Sequence, residues 1–181
     1  FCAKGNPVGQ VLIIIFAVLY GIISWMVAYY GEMITYVGMT APMAVYALIV
    51  WLKNPFAGKR SEVKVNRLRA REYFIMALIA AAVTVAFYFI LEAFHTANLI
   101  PGTISVTTSF VAVYLTARRS PFYALAYAAN DVVLIVLWSM AAAADPSCLS
   151  VVICFCVFLV NDLYGFVNWM RMQRRQARAE A

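Results

Sequence analysis

Residues 122–144, FYALAYAANDVVLIVLWSMAAAA, decide the fold because they form an almost unbroken apolar run with no basic residue. A helix needs about 20 such residues to cross the ~30 Å hydrocarbon core of a bilayer, since it rises about 1.5 Å per residue. Five further blocks have the same character: Val11–Tyr30, Ile34–Leu52, Tyr73–Phe94, Ile104–Thr116 and Leu149–Met170. The sequence therefore predicts an all-α polytopic membrane protein with six visible spans.

The overall composition agrees with a bilayer as the solvent. The chain has 181 residues, of which 65% are hydrophobic and 12% charged, and its mean hydropathy is +0.84. A soluble domain has roughly 45–50% apolar residues. A water-soluble fold of this length has no means of burying the excess, so soluble classes are excluded.

The basic residues predict the orientation of the chain. If the spans alternate in direction, all 14 lysines and arginines fall on the same side. Because Lys and Arg in short loops stay in the cytoplasm, we expect the C-terminus inside and the turns near Glu32, Asn98 and Asp145 outside. Topology and attraction to anionic lipid also account for the net charge of +6, so no nucleic-acid partner is expected.

Two parts of the chain have matching ends. The matched residues are Ala3–Pro7 with Ala117–Pro121 where the first and fifth spans open, and Tyr46, Trp51 and Lys53 with Tyr164, Trp169 and Arg171 where the second and sixth spans close. Both copies run in the same direction, and a parallel repeat of this kind is a transporter architecture. Chance recurrence of small interfacial motifs is the alternative.

The repeat predicts a 3+1+3 helix bundle. We expect residues 1–55 to be the rest of a first three-helix unit, 56–98 a cytoplasmic linker with a linker helix, 99–172 a second three-helix unit, and 173–181 a cytoplasmic tail. On this plan the first unit lacks one helix, so we expect a helix before Phe1.

Polar side chains within the spans mark the candidate site. A charge at mid-membrane costs about 2.5–3.5 kcal/mol and normally faces a cavity or a partner, and Asp131 and Asp162 both lie deep in their spans. Helical spacing also places aromatic and amide side chains on common faces, which suits a pocket that stacks a planar ring. The candidate solute-binding residues are Asn130, Tyr123, Tyr127, Asn161, Tyr164, Asp162, Thr107 and Tyr46.

Other interpretations of these residues stay open. Polar side chains in membrane helices also hydrogen-bond between helices, and Trp51 and Trp169, each near a basic residue, favour an interfacial belt. The sequence has no catalytic motif, a single histidine at His95, and four cysteines that we expect to be buried free thiols. We expect no enzyme activity, no metal and no cofactor. A non-transporting membrane subunit is the alternative to a transporter.

Several segments resemble the PnuC family of bacterial nicotinamide riboside transporters. They are Cys2–Pro7 with Tyr20, Tyr30–Met33 leading to Pro42, Trp51–Pro55, and Asn161–Gly165 with Trp169. The resemblance implies a seven-helix fold related in plan to the SWEET sugar transporters, placed in the bacterial inner membrane. It also implies facilitated uptake of a vitamin precursor that is phosphorylated in the cytoplasm, with no ATP-binding partner.

The resemblance further implies a ligand motif, Trp-x-x-Trp-x-x-x-Asn. Here Asn130 matches the last position, but Tyr123 and Ala126 stand at the tryptophan positions, and Val113 stands where a glutamine is often found in the preceding helix. These departures leave thiamine and riboflavin as alternatives to nicotinamide riboside. The sequence also leaves the oligomeric state open, a homo-oligomer included, as well as ion coupling.

Overall fold

A computed structural model describes residues 1–96 and 98–180, and within these ranges six helical segments are long and apolar enough to cross a membrane. The helices are α1 (Val8–Met26), α2 (Tyr30–Thr35), α3 (Ala41–Lys53), α4 (Ala70–Ala93), α5 (Leu99–Ala117), α6 (Phe122–Ala144) and α7 (Leu149–Ala179). The all-α polytopic prediction is confirmed. Ala97 of the predicted linker unit and Ala181 of the predicted tail lie outside the described residues.

The turn between the first two spans lies earlier than predicted. Helix α1 ends at Met26 and α2 begins at Tyr30, with Ala28 at a φ of 58° in the turn. Gly31 is therefore helical, and a Cβ there would stand 3.1 Å from Thr96 Cγ2 and still closer to a methyl group of Leu91. Glycine fits here because of close packing, and the prediction of a loop was wrong.

Helix α5 also begins earlier than predicted, at Leu99 instead of Ile104. Pro101 lies in its first turn, where a backbone N–H would have no partner inside the helix. The proline is therefore compatible with a helix, although it lies before the predicted start of this span at Ile104.

A π-helical segment, Tyr36–Thr40, joins α2 to α3 within the second span. Pro42 follows this segment and has no N–H to donate to the carbonyl of Gly38, so one helical hydrogen bond is missing. Wider turns of this kind are frequent at functional sites. Tyr36 and Thr40 of this segment are buried in the protein interior.

The polar linker contains a hairpin that the sequence analysis did not predict. Strands β1 (Pro55–Phe56) and β2 (Lys59–Val63) pair antiparallel. Between them, Ala57 and Gly58 have φ values of 47° and 75°, and positive φ at both central residues is the requirement of a tight type I′ turn. The linker is thus an ordered element.

The hairpin docks on the end of the bundle through backbone hydrogen bonds. Val63 is fully buried and its N–H donates to the Gly5 carbonyl at 2.9 Å. Gln176 of α7 accepts from the Val65 N–H at 2.8 Å and donates to the Val63 carbonyl at 3.0 Å. Helix α7 continues through this contact to Ala179, so most of the predicted tail is helical.

The basic segments meet at this same end of the molecule, which we call the basic end. Lys64 of the linker pairs with Glu180 at 2.7 Å, and Arg118 pairs with Glu72 at the start of α4. Asn66 donates to the Arg118 carbonyl at 3.1 Å. The common location of these segments is what alternating spans require.

Trp51 and Trp169 lie inside the protein near the basic end. Each has 0% of its surface exposed, and their ring centroids are 5.4 Å apart. The interfacial-belt interpretation was therefore wrong. Together with Tyr123, whose ring lies 4.9 Å from that of Trp169, they form the basic-end cluster.

The two tryptophans make reciprocal hydrogen bonds. Trp51 Nε1 donates to the Thr116 carbonyl at 2.9 Å, and Trp169 Nε1 donates to the Cys2 carbonyl at 2.8 Å. Thr116 and Cys2 each precede one of the two segments matched in the sequence. A parallel repeat would produce this reciprocity, and the 3+1+3 repeat stays a prediction.

Candidate functional site

A cavity of about 240 Å³ opens among α1, the second span, α6 and α7. It lies between the basic-end cluster and a second aromatic group, the far-end cluster, which comprises Tyr20, Tyr29, Tyr36, Trp138 and Phe155. The aromatic residues of its wall are Phe1, Phe16, Tyr36, Tyr123, Tyr127, Phe155 and Phe158. The polar residues of its wall are Cys2, Thr40, Asp131, Asn161 and Asp162.

Edge-to-face contacts hold the aromatic walls in place. The ring of Tyr123 is 6.1 Å from that of Tyr127 at an interplanar angle of 83°. On the opposite side, Phe16 meets Phe158 at 5.0 Å and 80°. Such pairs contribute roughly 0.5–1.5 kcal/mol beyond the area they bury. The cavity is therefore a preformed space between aromatic rings.

Asn130 joins three helical elements beside the cavity. It is 1% exposed, its Nδ2 donates to the Tyr36 hydroxyl at 3.1 Å, and its Oδ1 accepts from Thr108 at 2.7 Å and from Ser109 at 3.1 Å. Asn130 does not line the cavity itself. Its hydrogen bond instead holds in place Tyr36, which does line the cavity.

Two carboxyl groups face the cavity from neighbouring helices. Asp131 of α6 is 4% exposed and its Oδ2 has no hydrogen-bond partner among the described residues. Asp162 of α7 accepts from Asn161 Nδ2 at 3.2 Å and lines the same cavity as Asp131. No lysine, arginine or histidine lines the cavity within residues 1–96 and 98–180. The cavity is thus acidic as well as aromatic.

Cys2, another polar wall residue, adds no charge. Burial raises the pKa of its thiol to about 12, so the thiol stays protonated at neutral pH. All four cysteines are free thiols, but only Cys148 is fully buried, since Cys2 and Cys154 are partly exposed and Cys156 is exposed. The prediction that all four are buried was therefore wrong.

A buried carboxylate contacts the far-end cluster. Glu32 is 2% exposed and accepts from the Tyr20 hydroxyl at 3.2 Å, while Trp138 Nε1 donates to that hydroxyl at 2.6 Å. Glu32 lies in helix α2 and not in the predicted turn, and it is not among the predicted site residues. The signal that would have found it is the spacing of four residues between Glu32, Tyr36 and Thr40, which puts them on one helix face.

The predicted site residues fall into two groups. Tyr123, Tyr127, Asn161 and Asp162 line the cavity, and Asn130 contacts it through Tyr36.

The other three predicted residues lie elsewhere. Thr107 pairs with Thr84 at 2.6 Å, between α5 and α4. Tyr46 and Tyr164 are each 55% exposed, Tyr46 on α3 and Tyr164 on α7 beside a groove lined by Lys4 and Arg171. These three residues do not line the cavity, and they are not part of the proposed site.

Most of the residues that sequence reasoning missed are apolar wall residues. Phe16, Phe155 and Phe158 have no polar atom in their side chains, and apolar residues also make up most of the other faces of their helices. Hydropathy alone does not separate a cavity wall from a lipid-facing surface.

Comparison with known proteins places these features in context. A family model described as nicotinamide mononucleotide transporter matches residues 1–171. The nicotinamide riboside transporter PnuC of Neisseria mucosa is 26% identical over 184 residues, which cover 98% of this chain and 69% of that protein. The crystal structure of the vitamin B3 transporter PnuC has a TM-score of 0.81 and 22% identity, covering 97% of this chain and 77% of that one. The last comparison shows a shared fold.

Proposed function

The chain belongs to the nicotinamide mononucleotide transporter family, and from this premise we propose that it carries nicotinamide riboside into the bacterial cell. Membership makes the chain a multi-pass membrane transporter rather than an enzyme. The choice of solute, the direction and the binding residues are the parts that we propose.

The observation that carries the proposal is a cavity whose wall combines aromatic rings with carboxyl and amide groups. Nicotinamide riboside has a planar pyridinium ring, a carboxamide and a ribose with free hydroxyls. Tyrosine and phenylalanine faces suit the ring. Asp131, Asn161 and Asp162 suit the hydroxyls and the carboxamide, because carboxylate and amide oxygens accept hydrogen bonds.

The two aromatic clusters suit transport by alternating access. The basic-end cluster reaches the cavity wall at Tyr123, and the far-end cluster reaches it at Tyr36 and Phe155. We assign the two clusters as the barriers between the cavity and the two ends of the bundle. Opening one cluster at a time exposes the cavity to each side in turn, which is facilitated diffusion when no ion or nucleotide is coupled to it.

The basic end is assigned to the cytoplasm of the bacterial inner membrane, together with the C-terminus. The support is the gathering of basic segments at that end, since Lys and Arg in short loops are retained inside. Solute that enters through the far end is released at the basic end. A homo-oligomer is compatible with this arrangement, and each chain carries its own cavity.

Uptake by the purified full chain in liposomes tests the function. We expect saturable entry of labelled nicotinamide riboside without ATP, and competition by the unlabelled compound but not by free ribose. Liposomes without protein are the control. Saturable entry of thiamine or riboflavin alone would move the assignment to that vitamin. No saturable flux of any of the three would contradict the proposal and favour a non-transporting membrane subunit.

A further inference from the structure

We propose that Asp131 and Asp162 make the cavity selective for a planar ring that carries a positive charge, against a neutral ring of the same shape. The inference rests on the proposed function and deepens it, because it names the property of the solute that these residues recognise. It assigns to the acidic pair a role separate from the stacking role of the aromatic walls.

In the part of the chain that the structure describes, Asp131 lacks a counter-charge in the cavity. A buried carboxylate needs an ionic or hydrogen-bonding partner, since an uncompensated one is costly to hold inside a protein. Asp131 is 4% exposed with an unpartnered Oδ2, and no basic side chain among the described residues lines the cavity. Charged groups within membrane spans usually face a pathway or a partner. A cationic solute would supply the partner that the protein lacks.

The two acids lie on the wall of the same cavity, Asp131 from α6 and Asp162 from α7. Two negative charges on one cavity wall repel each other, whereas a cation placed beside them is attracted by both. A pyridinium ring has a positive charge, so its binding relieves the repulsion. A neutral ring of the same shape does not.

The surface around the two acids is aromatic. Tyr36, Tyr123 and Tyr127 line the same cavity, and aromatic faces attract cations by about 0.5–2 kcal/mol, more strongly where water is excluded. The Cys2 thiol is neutral and contributes no competing charge. Aromatic walls and acidic groups therefore favour the same kind of ligand.

A purely structural role for the pair is the competing explanation. Hydrogen bonding between Asp131 and Asp162 would hold α6 against α7 whatever the solute. Removing either carboxylate would then weaken the binding of cationic and neutral solutes equally. The ratio of the two affinities is thus the quantity that separates the two roles.

The experiment compares nicotinamide riboside with its reduced dihydro form, which has the same substituents on a neutral ring. We expect the purified full chain to bind the cation at least about tenfold more tightly, the range expected for compensating a buried charge. Asp131→Asn and Asp162→Asn should each reduce that ratio several-fold. Asp145→Asn is the matched control, because Asp145 is an exposed acid in the turn before α7, and should leave the ratio unchanged.

Each outcome bears on the proposal separately from the function. Equal binding of the two forms by the unaltered protein, or an unchanged ratio in both folded cavity variants, would overturn the charge selection while leaving transport intact. Absence of binding by either form would overturn the proposed function and this inference with it. If a variant does not fold, the comparison in the unaltered protein still decides, because it needs no substitution.

Discussion

Asn130→Ala is expected to raise the concentration of nicotinamide riboside for half-maximal uptake by roughly tenfold or more. The change removes the acceptor of Thr108 and Ser109 and the donor to Tyr36 in one step. A buried polar group left without its partner costs about 1–3 kcal/mol, and about 1.4 kcal/mol is a factor of ten in affinity. Tyr36 then loses the contact that holds its ring in the cavity wall.

Matched variants make the measurement specific. Asn130→Asp keeps an acceptor oxygen for the three hydroxyl groups, so we expect a smaller loss of thermal stability than with alanine. Thr103→Ala is the control, because Thr103 lies on the same helix as Thr108 and its hydroxyl donates to the carbonyl of Leu99 one turn away. This substitution should leave uptake unchanged. An unchanged half-saturation concentration in folded Asn130→Ala would remove Asn130 from the site.

Trp169→Ala is expected to show the largest loss of stability, about 3–5 kcal/mol, which is typical of deleting a buried large aromatic side chain. Trp169 has no exposed surface, contacts Trp51 and Tyr123, and ties α7 to the segment before α1 through the Cys2 carbonyl. Trp169→Phe keeps a ring but loses that hydrogen bond, so we expect a loss of about 1–2 kcal/mol.

Unfolding in detergent, followed by tryptophan fluorescence or by circular dichroism, measures these losses. Trp25→Ala is the same substitution at a tryptophan of α1 that is 59% exposed, and it should change stability little. Equal stability of Trp169→Ala and Trp25→Ala would contradict the buried position of Trp169 and restore the interfacial-belt interpretation.

The spans were predictable because the thickness of the hydrocarbon core fixes their length and composition. The ends of the spans were less predictable than the spans themselves. Gly31 and Pro101 lie between the predicted spans, yet both are helical, since a glycine admits close packing and a proline is tolerated in a first turn. The hairpin at Ala57 and Gly58 was missed because its turn gave only a short and weak signal.

The candidate site was predictable where polar and aromatic residues share a helical period. On α6, Tyr123 and Asn130 lie on one face by their spacing, and both are buried. On α7, the same reasoning selected Tyr164, which is exposed, because apolar residues surround the inward face as well as the lipid-facing one. Only the packing of neighbouring helices distinguishes the two faces.

The parallel repeat remains a prediction that the reciprocal bonds of Trp51 and Trp169 support. The sequence comparison found the two tryptophans at equivalent positions. That each tryptophan donates to the opposite half of the chain could not be predicted from the sequence. Every residue has a backbone carbonyl, so the residue type of the acceptor gives no signal.

An experimental structure of the full chain with nicotinamide riboside bound tests the central claim most directly, because that claim is the position of the solute. We predict density for the pyridinium ring between the two aromatic clusters, in contact with Tyr36 or Tyr127 and beside Asp131 or Asp162. Density for the solute only in the groove lined by Lys4 and Arg171, with the aromatic cavity empty at saturating concentration, would contradict the account.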